Sequence, residues 1–160
     1  MIAVSFGRRL SKMSVIMLKG MTGDLETCMA GMNCGTPSDY GWNALKDNAT
    51  VFLSCKDELA FDGMKRLNKP QGNKHRICVL KLAKAENVSK KPCRCVKGSD
   101  ERITSGECGA VTLGTLVEIC QKRDDVKKLL GLDEKSNVLL VSTEGDTDPV
   151  LYNKIISAQG

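Results

Sequence analysis

The stretch NVLLVSTEGDTDPVLYNKI, residues 137–155, decides how the rest of the chain is read. It opens on four apolar residues, Val138 to Val141, and breaks into small and acidic ones from Ser142 to Asp148. After Pro149 the apolar positions return at helical spacing. A short apolar run bounded by turn residues predicts a buried strand. Asp148 ahead of Pro149 has the form of an N-cap followed by proline at the first helical position. The predicted order is therefore strand, polar loop, helix. In open α/β sheets, ligands sit past the carboxyl end of a strand and near a helix N-terminus.

Working outward, the same theme recurs. SDYGWNALKDNA (38–49) reads as a helix with Ser38 as N-cap and Trp42 and Leu45 on one face. TVFLSC (50–55) is rich enough in β-branched and aromatic residues for a short strand. KDELAFDGMKRL (56–67) puts Leu59, Gly63, Met64 and Leu67 on one helical stripe, and NKPQGN (68–73) stops it. ITSGECGAVTLGTLVEICQ (103–121) opens with a glycine-bearing loop and continues as a helix, with Leu113, Leu116, Val117 and Cys120 expected inward. DDVKKLLGLD (124–133) is a second short helix, with acids at its start and Gly131 at its end. Helices alternating with short apolar strands predict an α/β protein, layered helices on a mostly parallel sheet.

Composition bounds the function classes. The chain has 160 residues, 41% apolar, and a net charge of +5. Its segment 78–102 holds seven Lys/Arg against three Asp/Glu, which accounts for +4 of that total. The remainder is nearly neutral, which argues against a nucleic-acid-binding surface. No segment is long and apolar enough to span a membrane. The first 20 residues read as an irregular leader, basic and free of acids through Lys19, so a mitochondrial-type role stays open beside a cytoplasmic one. Eight cysteines lie mostly in apolar contexts, and reduced thiols are the expected state. The one close pair is Cys93 and Cys95, with His75 the only histidine, so no metal site is expected.

Two glycine-bearing loops stand out, SGECGA (105–110) and STEGDTDP (142–149). Neither is a Walker or dinucleotide fingerprint, and on spacing alone each reads as a tight turn. Their company changes the weighing. The ordered blocks MAGMNCGTPSDYGWNAL (29–45), ATVFLSCKDELAFDGMKRLNKPQGN (49–73), SGECGAV (105–111) and VLLVSTEGDTDP (138–149) resemble the C-terminal half of the diaminopropionate ammonia-lyases. These are pyridoxal 5'-phosphate (PLP) enzymes of the tryptophan-synthase-β-like group.

The resemblance implies part of a fold-type-II PLP-enzyme domain over 21–160, interrupted by a basic insert at about 78–102. It implies elimination chemistry: loss of the α-proton and β-amino group of 2,3-diaminopropionate, then hydrolysis to pyruvate and ammonia. The cofactor supplies the electron sink and the protein supplies orientation. In this group a Ser or Thr after a late strand faces the pyridine nitrogen, and Ser142 and Thr143 are the matching positions, Ser142 the better by position. SGECGA resembles a loop beside the cofactor ring, so Gly106 and Glu107 are candidate lining residues. For Glu107 a purely stabilising role at the start of a helix has equal standing. A Ser142 hydroxyl sealed in solid packing would contradict the whole reading.

The departures matter as much. Nothing in the 160 residues matches the family's Schiff-base lysine motif or its phosphate-binding loop, so no catalytic residue is assigned and the chain alone is expected to be inactive. Cys108 stands where the family reads serine. The implied partners are a small amino-acid substrate in the full enzyme, and homodimerisation or pairing with a complete paralogue. Two other readings stay open: a non-catalytic α/β binding module, and a fragment of a threonine or serine dehydratase. The segment STEGDTDP speaks against the dehydratase, which usually carries a glycine-asparagine loop there.

Overall fold

The computed structural model describes residues 2–4, 26–36, 38–70 and 102–158. Apart from Ile2–Val4, the expected leader lies outside the described residues, as do the basic insert (Arg102 excepted), His75, Cys93 and Cys95. In chain order the elements are β1 (Ile2–Val4), a single 3-10 turn (Ala30–Met32), α1 (Asp39–Asn48), β2 (Val51–Leu53), α2 (Asp57–Asn68), α3 (Glu107–Lys122), α4 (Asp124–Leu129) and α5 (Pro149–Ser157). Among the described residues no helix is long and apolar enough to cross a membrane.

Local chemistry explains where the helices begin. Ser38 caps α1, its hydroxyl accepting from the Gly41 N–H at 3.2 Å. Asp148 caps α5, with Oδ1 accepting from Val150 N at 3.1 Å and Leu151 N at 2.9 Å, and Pro149 occupies the first helical position. Helix α4 ends at Gly131, whose φ of 66° is the left-handed conformation expected of a helix-terminating glycine.

The core is built by α2, α3 and α5. Met64, Leu67, Ala110, Tyr152 and Ile155 form its main cluster, and Met29, Ala60 and Val111 form a second. The buried face of α2 carries Ala60, Gly63, Met64 and Leu67, which matches the expected stripe except that Leu59 is only half-buried. The face of α3 is not the expected one. Its buried residues are Glu107, Gly109, Ala110, Val111, Gly114, Thr115 and Ile119, whereas Leu113, Leu116 and Val117 are half-buried and Cys120 is exposed.

The cause is a close helix crossing. A Cβ at Gly63 would collide with the Ala110 carbonyl, and a Cβ at Gly114 with the Leu59 carbonyl. The two backbones touch only because both positions lack side chains. Small residues, not bulky ones, set the face that α3 turns to α2.

Two sheet expectations are not met among the described residues. Residues 138–141 form no strand, and Val138, Leu139, Leu140 and Val141 are 39%, 77%, 36% and 59% exposed. A strand is a property of a pair, and no described segment runs beside this one to supply ladder hydrogen bonds. The layered parallel sheet is likewise not seen among the described residues. Among the described residues the sheet has two antiparallel strands, with Ile2 opposite Leu53, Ala3 opposite Phe52 and Val4 opposite Val51. Helix α1 buries none of its residues; Trp42 meets Phe52 with ring centroids 6.4 Å apart, and Leu45 is exposed.

Candidate functional site

The two glycine-bearing loops, 37 residues apart at their serines, meet at the start of α3. Ser105 Oγ lies 2.8 Å from Ser142 Oγ. The Gly106 N–H donates to the Glu144 carbonyl at 3.1 Å, and the Cys108 N–H donates to Glu144 Oε2 at 2.9 Å. Thr147 Oγ1 donates to Glu144 Oε1 at 3.1 Å.

The logic starts with a deficit. The N-cap of α3 is Gly106, which has no side chain to satisfy the free N–H groups of the first turn. Glu144 supplies the missing acceptor from the other loop, and its carboxylate also sits where the helix dipole favours negative charge. One side chain thereby fixes the 142–148 loop to the helix that carries Gly106 and Glu107.

The close approach has a steric condition. A Cβ at Gly109 would lie 2.5 Å from Ser105 Oγ and 2.7 Å from Ser142 Oγ. A Cβ at Gly106 would lie 2.5 Å from the Gly145 carbonyl oxygen. Both glycines are therefore required by the junction of the two loops.

The candidate residues fall into place unequally. Ser142 is an exposed residue, not sealed in packing, and its hydroxyl is held by Ser105, which is 0% exposed. Thr143 is also exposed, but of the two it is Ser142 that bonds to Ser105. Gly106 is buried at the N-cap. Glu107 is 9% exposed in the first turn of α3. Its charge helps to raise the pKa values of the Cys28 and Cys108 thiols, which puts it on the side of those sulfurs.

The thiols themselves are poor nucleophiles. Burial, foremost, together with the hydrogen bond and charge of Asp57 and the charge of Glu107, pushes Cys28 up to about 12. Burial and the contact with Glu144 push Cys108 up as well. Asp57 is held low by the Cys28 N–H, which donates to Oδ2 at 2.7 Å, and by the Thr27 hydroxyl, which donates to Oδ1 at 2.7 Å. That carboxylate ties the 27–32 segment to the start of α2, beside Cys108. No cluster of His, Cys, Asp or Glu among the described residues could hold a metal ion.

A groove of about 390 Å³ lies elsewhere, between α2 and α5, with Asp62, Lys65, Arg66, Lys69 and Ile156 among its lining residues. It shares no residue with the loop junction. Two residues of the junction were not singled out by the sequence. Ser105 had no signal beyond its place in SGECGA. Glu144 had one: a helix with glycine at its N-cap needs an acceptor from somewhere else.

No family model matches the chain. Among curated proteins, it is 38% identical over 136 residues to the diaminopropionate ammonia-lyase of Escherichia coli strain K12, covering 84% of this chain and 28% of that protein. It is 34% identical over 138 residues to that of Salmonella typhimurium, covering 85% of this chain and 28% of the relative. The chain thus spans little more than a quarter, 28%, of the length of the curated relatives it matches, and the match falls in their C-terminal part. Among solved structures, the Escherichia coli enzyme in complex with an aminoacrylate-PLP azomethine reaction intermediate superimposes with a TM-score of 0.62 at 36% identity, over 82% of this chain and 28% of that one. The apo form gives 0.56 at 34% identity, over 76% and 27%. The resemblance carried by the four sequence blocks is therefore found in both sequence and structure.

Proposed function

We propose that this chain supplies the ring-nitrogen side of a PLP site in a lyase that eliminates ammonia from 2,3-diaminopropionate. The observation that carries the proposal is Ser142, an exposed residue whose hydroxyl is anchored on the buried Ser105 at the junction of two loops that both belong to the resembling blocks.

The residues present fit one edge of such a cofactor. A neutral hydroxyl suits a pyridine nitrogen that is not strongly protonated, and the glycines beside it keep side-chain bulk away from that hydroxyl. When bound, the cofactor supplies the electron sink that stabilises charge at the substrate α-carbon. The chain's own part is positional. Glu144 fixes the 142–148 loop to α3 and Ser105 fixes Ser142, while burial pushes the Cys28 and Cys108 thiols further from ionisation. Glu107 is proposed to act through the start of α3 and the two thiols, not through the nitrogen edge.

The finer fold belongs to the same proposal. Four exposed apolar residues in a row, 138–141, suit a strand of a parallel sheet whose neighbours come from other polypeptide. The lysine that would bind the cofactor and the loop that would hold its phosphate have no match in the 160 residues. Purified chain mixed with PLP is therefore expected to give no visible absorption band that borohydride makes permanent, and no pyruvate from diaminopropionate. The exposed run also supports pairing with a complete paralogue.

The decisive experiment exchanges residues 26–158 for the matching C-terminal part of the Escherichia coli lyase. The chimera is expected to release ammonia from diaminopropionate, and S142A in it is expected to lower the rate by roughly tenfold, the scale of one hydrogen bond. A folded chimera that binds no PLP would overturn the proposal.

A further inference from the structure

The Ser105–Ser142 contact is short, and each hydroxyl has one proton and two acceptor sites. Only one of the two protons can lie between the oxygens. If Ser142 donates, Ser105 is left with the carbonyl of its own neighbour, Gly106, at 3.3 Å. If Ser105 donates, Ser142 is left with the Glu144 carbonyl at 3.4 Å. Both remaining contacts are long for a hydroxyl donor. The difference lies in burial. Ser105 is 0% exposed, so a poorly placed proton there finds no water, whereas Ser142 is exposed and its proton can turn outward.

We propose that Ser105 is a positioning residue that donates its proton to Ser142, so that Ser142 presents its own proton outward to an unprotonated aromatic ring nitrogen. Accepting one bond also makes the Ser142 O–H a stronger donor. Gly109 is part of the device, since any Cβ there would press on both oxygens. The inference rests on the proposed cofactor-facing role of Ser142 and goes further. It says which way the hydrogen bond runs and which protonation state of the ring is selected.

The test needs no turnover. The ¹⁵N-labelled chain is titrated with 3-hydroxy-2-methylpyridine, and binding is followed by the amide shifts of Gly106 and Glu144, above and below the pKa of the probe's ring nitrogen. The wild-type chain is expected to bind the unprotonated probe more tightly than the protonated one. S142A is expected to weaken binding about fivefold, S105A about threefold, and S105A/S142A no more than S142A alone, because the two hydroxyls act as one unit. In S105A the Ser142 oxygen gains a second free acceptor site and loses the bond that makes its O–H a stronger donor, so the preference for the unprotonated ring should flatten. S105C, which keeps the size but donates weakly, should fall between and guards against a failure of S105A to fold. If S105A and S105C keep the wild-type pH preference, or if the losses in the double variant multiply, the role of Ser105 is overturned and that of Ser142 stands. If the wild-type chain shows no saturable shift at either pH, both are overturned.

Discussion

Replacing Gly114 by alanine should damage the fold more than a helix-interior glycine normally would, and in the opposite direction to helix propensity. In an exposed helix, Gly→Ala gains about 1 kcal/mol. At Gly114 the added Cβ meets the Leu59 carbonyl of α2 at a separation that atoms do not adopt, with the Gly63 N–H close behind at 3.3 Å. Both obstacles are backbone, so neither can swing aside as a side-chain tip could. The helices must part, and parting loosens Met64, Ala110 and Val111, which are all fully buried. Overpacking of this kind costs typically about 1–3 kcal/mol. Here the upper end applies, because a methyl group is forced against a carbonyl on a facing helix. After the propensity gain is subtracted, a net loss of about 1–2 kcal/mol remains. The assay is urea unfolding followed by far-ultraviolet circular dichroism on the wild type, G114A and the control G41A. At Gly41 the nearest atoms to an added Cβ belong to the Ser38 side chain, at 3.6 Å, an ordinary contact. G41A should therefore be neutral or gain up to about 0.5 kcal/mol. A G114A midpoint equal to or above wild type would refute the claim that α2 and α3 meet backbone to backbone.

Other consequences can be checked on the same preparation. E144Q keeps an acceptor but loses the charge at the start of α3, so it should destabilise the helix by about 0.3–1 kcal/mol, and it should lower the Cys108 pKa by removing one of the causes that raise it, read as faster reaction with a disulfide reagent at neutral pH. D148A should cost about 1 kcal/mol, seen as a lower unfolding midpoint, because two N–H groups of α5 lose their acceptor. Cys28 gives a pH signature. Its pKa is about 12 in the folded chain against an ordinary 9.0, so the unfolded chain releases its proton first as pH rises. Stability from this group is whole below pH 9.0 and is lost as pH climbs toward about 12, and C28S should flatten that decline in unfolding measured across the window.

What the sequence reveals depends on the range over which each signal acts. Capping is local: Ser38, Asp148 with Pro149, and Gly131 each satisfy or end a helix within a few residues, and each behaves as its type predicts. The face of α3 is a different matter. Leu113, Leu116, Val117 and Cys120 are its larger apolar residues at helical spacing, yet the helix turns Ala110, Gly114 and Thr115 to its neighbour. Bulk says that a residue prefers burial, but closeness of approach is decided by the pair Gly63 and Gly114, and nothing local links two glycines 51 positions apart. The same limit hid the Ser105–Ser142 bond and the reach of Glu144 to the Cys108 N–H.

The run 138–141 carries the argument one step further. Its composition predicts burial, and the described residues leave it exposed. On α3, Leu116 and Val117 are half-buried and Cys120 is exposed, although their character also predicts an inward place. Apolar side chains cannot favour water over a core, so both errors run the same way: the sequence states how much should be covered, and the described residues cover less. The site follows the same division. Ser142 is held by Ser105 and its loop is fixed through Glu144, so an exposed residue has its hydroxyl organised from the protein side. An exposed serine, supported from the protein side at the end of an uncovered apolar run, fits the proposed wall of a shared site, and it is the reason to seek the opposing wall in polypeptide beyond these residues.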